Sequence, residues 1–408
     1  MENSHRIVWL YRGKTTGRYF ANLAANTQLD SYAQNISRLR LLPSLALSDL
    51  ASFRSLDLDR ELAIYLARKR RSKWFARHPM TRAAFIGIAR LRAAWAFLTF
   101  LRYFRETQPR AIGIWNGMKF PETLIVCAAQ ACGIPVLRFE LGMLPYTRVI
   151  DGKGINFENS VPRTPAFYHA LPPPPEILPP SLVRRPRNPA KGCDATSNEI
   201  PLPKSYLFVP FQVAMDTQIL AFSPWIPSMR ALFSLMVEAR DELARKHPEL
   251  ADVHVVFKEH PTCPERYEDL HALAKAHGRV LFANDNSTQQ LIEGAEAVLT
   301  INSTVGIEGL LYRKKVIVLG QAFYDLEGMT LHAGSRVQLL DAVERVFAWQ
   351  PDHDLAGRFL NYLATEYCVP RKEGKPEEFL SGDLDNWAAN EKRIRSILAE
   401  AERAGLPS

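Results

Sequence analysis

The run VVFKEHP, Val255 to Pro261, brings an apolar strand to a tip of Lys258, Glu259 and His260, and Pro261 stops the strand from extending its ladder. A histidine so placed can donate to phosphate oxygens and, when protonated, offset charge building on a leaving group. The same residue also reads as an ordinary loop or helix-start histidine, as in His78-Pro79 and His247-Pro248. Two β/α steps later, AVLTINSTVGIEGLLYRKKVIVLG (Ala297 to Gly320) runs a strand into Asn302-Ser303-Thr304 and then into a helix. Ser303 or Thr304 can cap that helix, leaving the amides of Val305 and Gly306 to an anion. Gly306 admits a ligand closely, and Glu308 can accept from a ribose or sugar hydroxyl. S-T-x-G alone is common capping grammar, so it is the pairing with Lys258 and His260 that points to an anion site.

A third run, FVPFQVAMDTQI (Phe208 to Ile219), exposes Gln212, Asp216 and Gln218 after Pro210 ends a strand. The trio either lines a cleft and holds sugar hydroxyls or a base, or forms a plain loop with Asp216 as a helix cap. Upstream, LRFELGMLPYTRVIDGKGIN (Leu137 to Asn156) sets Glu140 at a strand end, followed by Gly142, Pro145 and Asp151. A carboxylate there serves as general base or as nucleophile at an anomeric carbon, or else pairs with Arg138 or Arg163. Asn116, at a neighbouring strand end, orients that carboxylate or an acceptor. The candidate catalytic residues are therefore Glu140, His260 and Asp151. Donor contacts fall to Gln212, Asp216, Lys258, His260, Asn302, Ser303, Thr304, Gly306 and Glu308, and orienting contacts to Asn116 and Arg138.

The elements that must position these groups alternate strand and helix. Ile7-Tyr11, Ala111-Trp115 and Ile134-Phe139 read as strands of a first domain, with a helix over Glu122-Cys132 stopped by Gly133. Ser205-Phe211, Val253-Lys258, Val280-Phe282, Ala297-Ile301 and Val316-Leu319 read as buried parallel strands of a second. At 408 residues two domains are the default. The expected division is 1–170 with a basic helical insert over 60–110, a Pro-rich linker over 171–203, a second domain over 204–350, and helices over 351–408 that pack back toward the first domain. The fold class is α/β, two Rossmann-like domains facing an interdomain cleft.

Charge is uneven. The net is +8, and Arg68 to Arg110 holds twelve Lys or Arg against one acid, Glu106. With Trp74, Phe75, Trp95, Phe97 and Phe100 interleaved, that block reads as a solvated helix pair or as a membrane-surface region; no nucleic-acid-binding pattern accompanies it. Ala83 to Leu101 approaches spanning length, but Arg90 and Arg92 in its middle argue against a bilayer span. The N-terminus reads as a strand and not as a signal peptide. Five cysteines without paired CxxC spacing argue for a reducing compartment and against a structural metal. GKTTG at Gly13–Gly17 lacks the P-loop spacing, and GxSxG, HExxH and GxGxxG are absent from the sequence.

Taken together, FVPFQVAMDTQI, FKEHP, TINSTVGIEGLLYRKKVIVLGQAFYDLEGMT and FELGMLPYTRVIDGKGIN resemble the bacterial capsule polysaccharide biosynthesis and export proteins, nearest to those similar to β-linked Kdo transferases. The resemblance runs over roughly 112–330. It implies a GT-B arrangement and a CMP-Kdo donor, with no further cofactor. It also implies a lyso-phosphatidylglycerol or Kdo-linker acceptor at the inner face of the cytoplasmic membrane, and work alongside other capsule proteins. Under it, His260 and Ser303-Thr304 engage the CMP phosphate, Glu308 contacts ribose or base, Gln212 and Asp216 shape the donor pocket, and Glu140 is the first-domain carboxylate of a retaining enzyme. Leu141 follows Glu140 where some branches carry a second carboxylate. A transferase for another nucleotide sugar, or a non-catalytic assembly or export factor of the same fold, are the alternatives.

Overall fold

The computed structural model describes residues 5–39, 42–43, 46–174, 199–372 and 385–405. Two compact units emerge: Met1–Gly142, Tyr146–Ser160 and Cys368–Ser408 form the first, and Met143–Pro145 with Val161–Tyr367 the second. Residues 161–170 and 351–367 thus cluster with the second unit, not with the first domain and terminal region in which the sequence places them. Most of the Pro-rich stretch, 175–198, lies outside the described residues.

The first unit holds β1 (Ile7–Tyr11), β2 (Ser31–Asn35), β3 (Ala111–Trp115), β4 (Val136–Leu141) and β5 (Thr147–Asp151). β2-β1-β3-β4 run parallel, while β5 is antiparallel to β4. The turn over 142–146 is too short for a parallel crossover, which takes a dozen or more residues, so this sheet is mixed. Alternation divides its residues between two faces. Ile7 and Trp9 join Tyr19 and Phe20 of the helix Lys14–Asn26, and Val8 and Leu10 join Phe97 and Leu101 of the helix Pro79–Thr107. Gly113 is required on β3 because a Cβ there would sit 2.2 Å from the Trp9 indole. The helix Pro79–Thr107 is long and apolar enough to cross a membrane. Its second half, from Phe97 to Phe104, is nevertheless core, where each fully buried Phe or Leu contributes about 1.5–3 kcal/mol.

The second unit carries β6 (Tyr206–Pro210), β7 (His254–Lys258), β8 (Val280–Phe282), β9 (Ala297–Thr300), β10 (Lys315–Val318) and β11 (Leu331–His332), all parallel, in the order β8-β7-β6-β9-β10-β11. That is the doubly wound order 3-2-1-4-5-6, whose direction reverses between β6 and β9. In the first sheet the reversal lies between β1 and β3. The chain then returns to the first unit: β12 (Cys368–Pro370) pairs antiparallel with β5, and the helix Trp387–Arg403 lays Ile394, Ile397 and Leu398 on the Trp9 face.

Candidate active site

In the second unit the polar tips fall on three consecutive strands, β7-β6-β9, so the outer two stand about 10 Å apart. At the reversal itself, Gln212 and Asn302 form a buried amide pair. Gln212 Nε2 donates to Asn302 Oδ1 at 2.9 Å, and Asn302 N donates to Gln212 Oε1 at 3.3 Å. Asn302 Nδ2 donates to the carbonyls of Gln218 at 3.1 Å and Phe222 at 3.0 Å. Both residues therefore lock two strand-end loops together. Asp216 caps the helix Thr217–Phe222 by accepting from Gln218 N at 3.0 Å. Lys258 Nζ donates to the carbonyls of Asn284 at 2.7 Å and Asn286 at 2.6 Å. These contacts give Gln212, Asn302 and Lys258, all expected at the donor, a structural role at the strand tips.

The helix start is also arranged differently from the sequence expectation. Ser303 Oγ accepts from Val305 N at 3.2 Å and Ser303 O from Gly306 N at 3.0 Å, so the two amides offered to an anion are already engaged. Gly306 is needed for packing: a Cβ would lie 2.4 Å from Tyr324 Oη, which donates to Ser303 O at 2.6 Å. Thr304 starts the helix Val305–Leu311 without capping it, and its hydroxyl has no partner among the described residues. Glu308 is half-buried, and burial together with the charges of Glu293 and Glu308 pushes the Tyr312 pKa up.

His260 is half-buried just beyond β7. Its Nδ1 lies 3.2 Å from Thr262 N and 3.0 Å from Thr262 Oγ1. Because an amide can only donate, Nδ1 is the acceptor and the neutral ring carries its proton on Nε2. Glu259 is turned to His271 Nε2 at 2.7 Å and accepts from Asn284 Nδ2 at 3.2 Å.

In the first unit Glu140 stands half-buried near the end of β4. Asn116 Nδ2 donates to Glu140 Oε2 at 2.8 Å, and Leu141 N donates to Oε1 at 3.0 Å. Asn116 follows β3 with φ of 68°, a left-handed conformation that asparagine tolerates better than most residues, and its Oδ1 accepts from Met118 N at 3.1 Å. Glu140 makes no ion pair among the described residues; Arg138 instead donates to Gly152 O at 3.0 Å, and Arg163 to Phe323 O at 3.1 Å. The nearby cation is Arg148, which is fully buried, bonded to both oxygens of Asp385 at 2.7 Å, and stacked over Tyr19 and Trp115. Desolvation would lower the Arg148 pKa, but Tyr19, Asp385 and Glu140 hold it up. Asp151 is removed from the reacting set: it is fully buried and accepts from Lys153 N, Gly154 N, Ser160 N and Ser160 Oγ at 2.7–2.9 Å. A carboxylate so occupied holds its own loop.

Sequence reasoning missed Arg148, Asp385, Tyr324 and Thr262. Of these, only Thr262, two residues from His260, carried a local signal.

Two Rossmann-like units, each with ionisable groups at its strand tips, define a GT-B-like fold. The chain belongs to the capsule polysaccharide biosynthesis family. The family model described as capsule polysaccharide biosynthesis protein matches residues 183–367. Protein FixF of Sinorhizobium fredii (strain NBRC 101917 / NGR234) is 32% identical over 323 residues, covering 78% of this chain and 75% of that protein. The capsule polysaccharide export protein KpsS of Escherichia coli is 29% identical over 300 residues, covering 59% and 73%. Among solved structures, the Thermosulfurimonas dismutans KpsC β Kdo 2,7 transferase aligns with a TM-score of 0.40 and 15% identity over 73% of this chain and 89% of that one.

Proposed function

We propose that this protein transfers Kdo from CMP-Kdo to a lyso-phosphatidylglycerol or Kdo-linker acceptor, with retention, as a peripheral protein on the inner face of the cytoplasmic membrane. The observation that carries the reading is the Glu140–Asn116 pair: a carboxylate at a strand tip that makes no ion pair among the described residues, acts on the buried Arg148 only through its charge, and is oriented by one side-chain amide at 2.8 Å. Such a group is built to react, not to stabilise the fold. In this account a Glu140 oxygen bonds to the anomeric carbon as the bond from that carbon to the CMP phosphate breaks; the acceptor hydroxyl then attacks the same carbon, releasing its proton to solvent, and Glu140 leaves as the carboxylate. His260, with its proton on Nε2, donates to a phosphate oxygen as charge develops there. Thr304 offers a hydroxyl to the same phosphate. The basic stretch from Arg68 to Arg110 holds the protein at an anionic leaflet.

The internal satisfaction of Gln212, Asn302 and Lys258 favours a second reading, a non-catalytic capsule assembly or export factor that keeps the fold. Incubation of pure protein with lyso-phosphatidylglycerol and a panel of nucleotide sugars, read by mass spectrometry, separates them. A Kdo mass increment with CMP-Kdo alone supports the transferase. An increment with a different donor replaces Kdo by that sugar, and none with any donor favours the assembly factor.

A further inference from the structure

The first sheet reverses direction between β1 and β3, and beyond the carboxyl ends of those strands lies an open pocket of about 400 Å³. That volume is within the ~300–1,000 Å³ range of small-ligand sites, and the place is where open α/β sheets bind ligands. Arg12, Tyr65, Lys69, Arg92, Trp95 and Phe120 line it. Arg12 leans on Glu122 at 3.5 Å. Lys69 lies over the Tyr65 ring at 5.5 Å and Arg92 over the Phe120 ring at 5.7 Å, and neither has a carboxylate partner among the described residues. The pocket therefore concentrates positive charge from two helices and from the residue that follows β1.

Trp95 also belongs to a second feature. Met80, Ala84, Ile88, Leu91 and Trp95 recur at helical spacing on one face of Pro79–Thr107, and all five are exposed. Leu91 is 72% and Trp95 56% exposed, so this apolar face is uncovered right up to the pocket. A soluble sugar phosphate would use the cations and leave the stripe idle. A neutral apolar ligand would use the stripe and leave Lys69 and Arg92 unmatched. An anionic amphiphile uses both.

We infer that this pocket seats the phosphate of an anionic phospholipid, with the acyl chain laid along the Met80–Trp95 face. The inference rests on the transferase reading only in making that lipid the acceptor.

The test uses the full chain and vesicles of phosphatidylglycerol or phosphatidylcholine, the former also with brominated acyl chains. The triple variant R12Q/K69Q/R92Q is set against a charge-matched control on exposed surface outside the stretch from Arg68 to Arg110, K275Q/K392Q/R403Q. Expected is a loss of about tenfold or more in affinity for phosphatidylglycerol with the pocket variant and less than about threefold with the control. Equal losses would mean diffuse surface charge and overturn the site. Brominated chains should quench the protein, and W95F should remove most of that quenching; quenching undiminished in W95F overturns the path of the chain. Release from vesicles by millimolar glycerol phosphate would assign the pocket to a water-soluble ligand instead. Vesicle binding that meets these expectations without sugar transfer from any donor sinks the transferase and leaves the pocket standing. Sugar transfer to lipid unchanged in the pocket variant sinks the pocket alone.

Discussion

At the reversal of the second sheet, Gln212 and Asn302 satisfy one another and Lys258 is tied to two carbonyls; at the carboxyl tips of the first sheet, among the described residues, Glu140 keeps a single side-chain partner, and Lys69 and Arg92 in the pocket have no carboxylate partner. The second arrangement gains nothing for folding, because partly exposed charges left to water neither pair nor pack. The first arrangement is what a loop must do before it can present anything else: a buried amide left unpartnered costs about 1–3 kcal/mol. The contrast teaches that polar residues at strand tips divide into those that build the tip and those that the built tip displays. Glu140 and Thr304 are of the second kind, and His260 does both, since its Nδ1 accepts from Thr262 N.

The sharpest way to break that division is Glu140→Gln. It keeps the size and the contact to Asn116 but removes the nucleophile or base, so transfer should fall by about 10²–10⁴-fold with the melting temperature unchanged. Unchanged turnover in a mass-spectrometric assay would return Glu140 to the ordinary strand end. His260→Ala follows, with an expected loss of about 10²–10³-fold in kcat through the lost donor to the leaving phosphate. A loss confined to thermal stability would instead make it part of the Thr262 turn.

Asn302→Ala should behave in the opposite way. It strands Gln212 and the carbonyls of Gln218 and Phe222, so a destabilisation of about 1–3 kcal/mol in urea unfolding is expected, with the Gln212→Ala, Asn302→Ala double variant costing less than the sum. An additive cycle would show that the two residues act separately, as independent ligand contacts would.

Much of the frame was legible. Parallel strands such as Val255–Phe257 and Ala297–Leu299 announce themselves as unbroken apolar runs, because both faces are buried. β2, β5, β11 and β12 did not, since short, edge or antiparallel strands carry no such run; β2 is largely polar and β5 is polar at both ends. In the candidate site, Glu140, Asn116 and His260 were readable from their places after strands. What hid was how the capacity of each group is used. The pairing of Gln212 with Asn302 spans 90 positions and that of Arg148 with Asp385 spans 237, and neither leaves a local pattern. The engaged amides of Val305 and Gly306 depended on Ser303, not Thr304, being the capping residue, a choice of one residue that a capping signature does not fix.

The smallest expected effect concerns a strand tip outside all of these. At the end of β11, His332 Nδ1 lies 2.6 Å from Asp325 Oδ2, and Thr330 Oγ1 donates to Asp325 Oδ1 at 2.7 Å. The hydrogen bond to Asp325 raises the His332 pKa above its ordinary 6.5, against a smaller desolvation effect. A raised histidine binds its proton more tightly folded than unfolded, so its contribution is fully present below pH 6.5 and is lost as pH rises through the folded value. His332 is half exposed, so after solvent screening the term is a few tenths of a kcal/mol. Melting curves taken between pH 5.5 and about 8 should therefore show a decline of about 1 °C that Asp325→Asn flattens. An identical slope in the variant would mean that another histidine, such as His247 beside Glu344, sets the dependence. If the slope is His332's own, this tip too displays a charge instead of using it in its frame, and the division would extend to the edge of the second sheet.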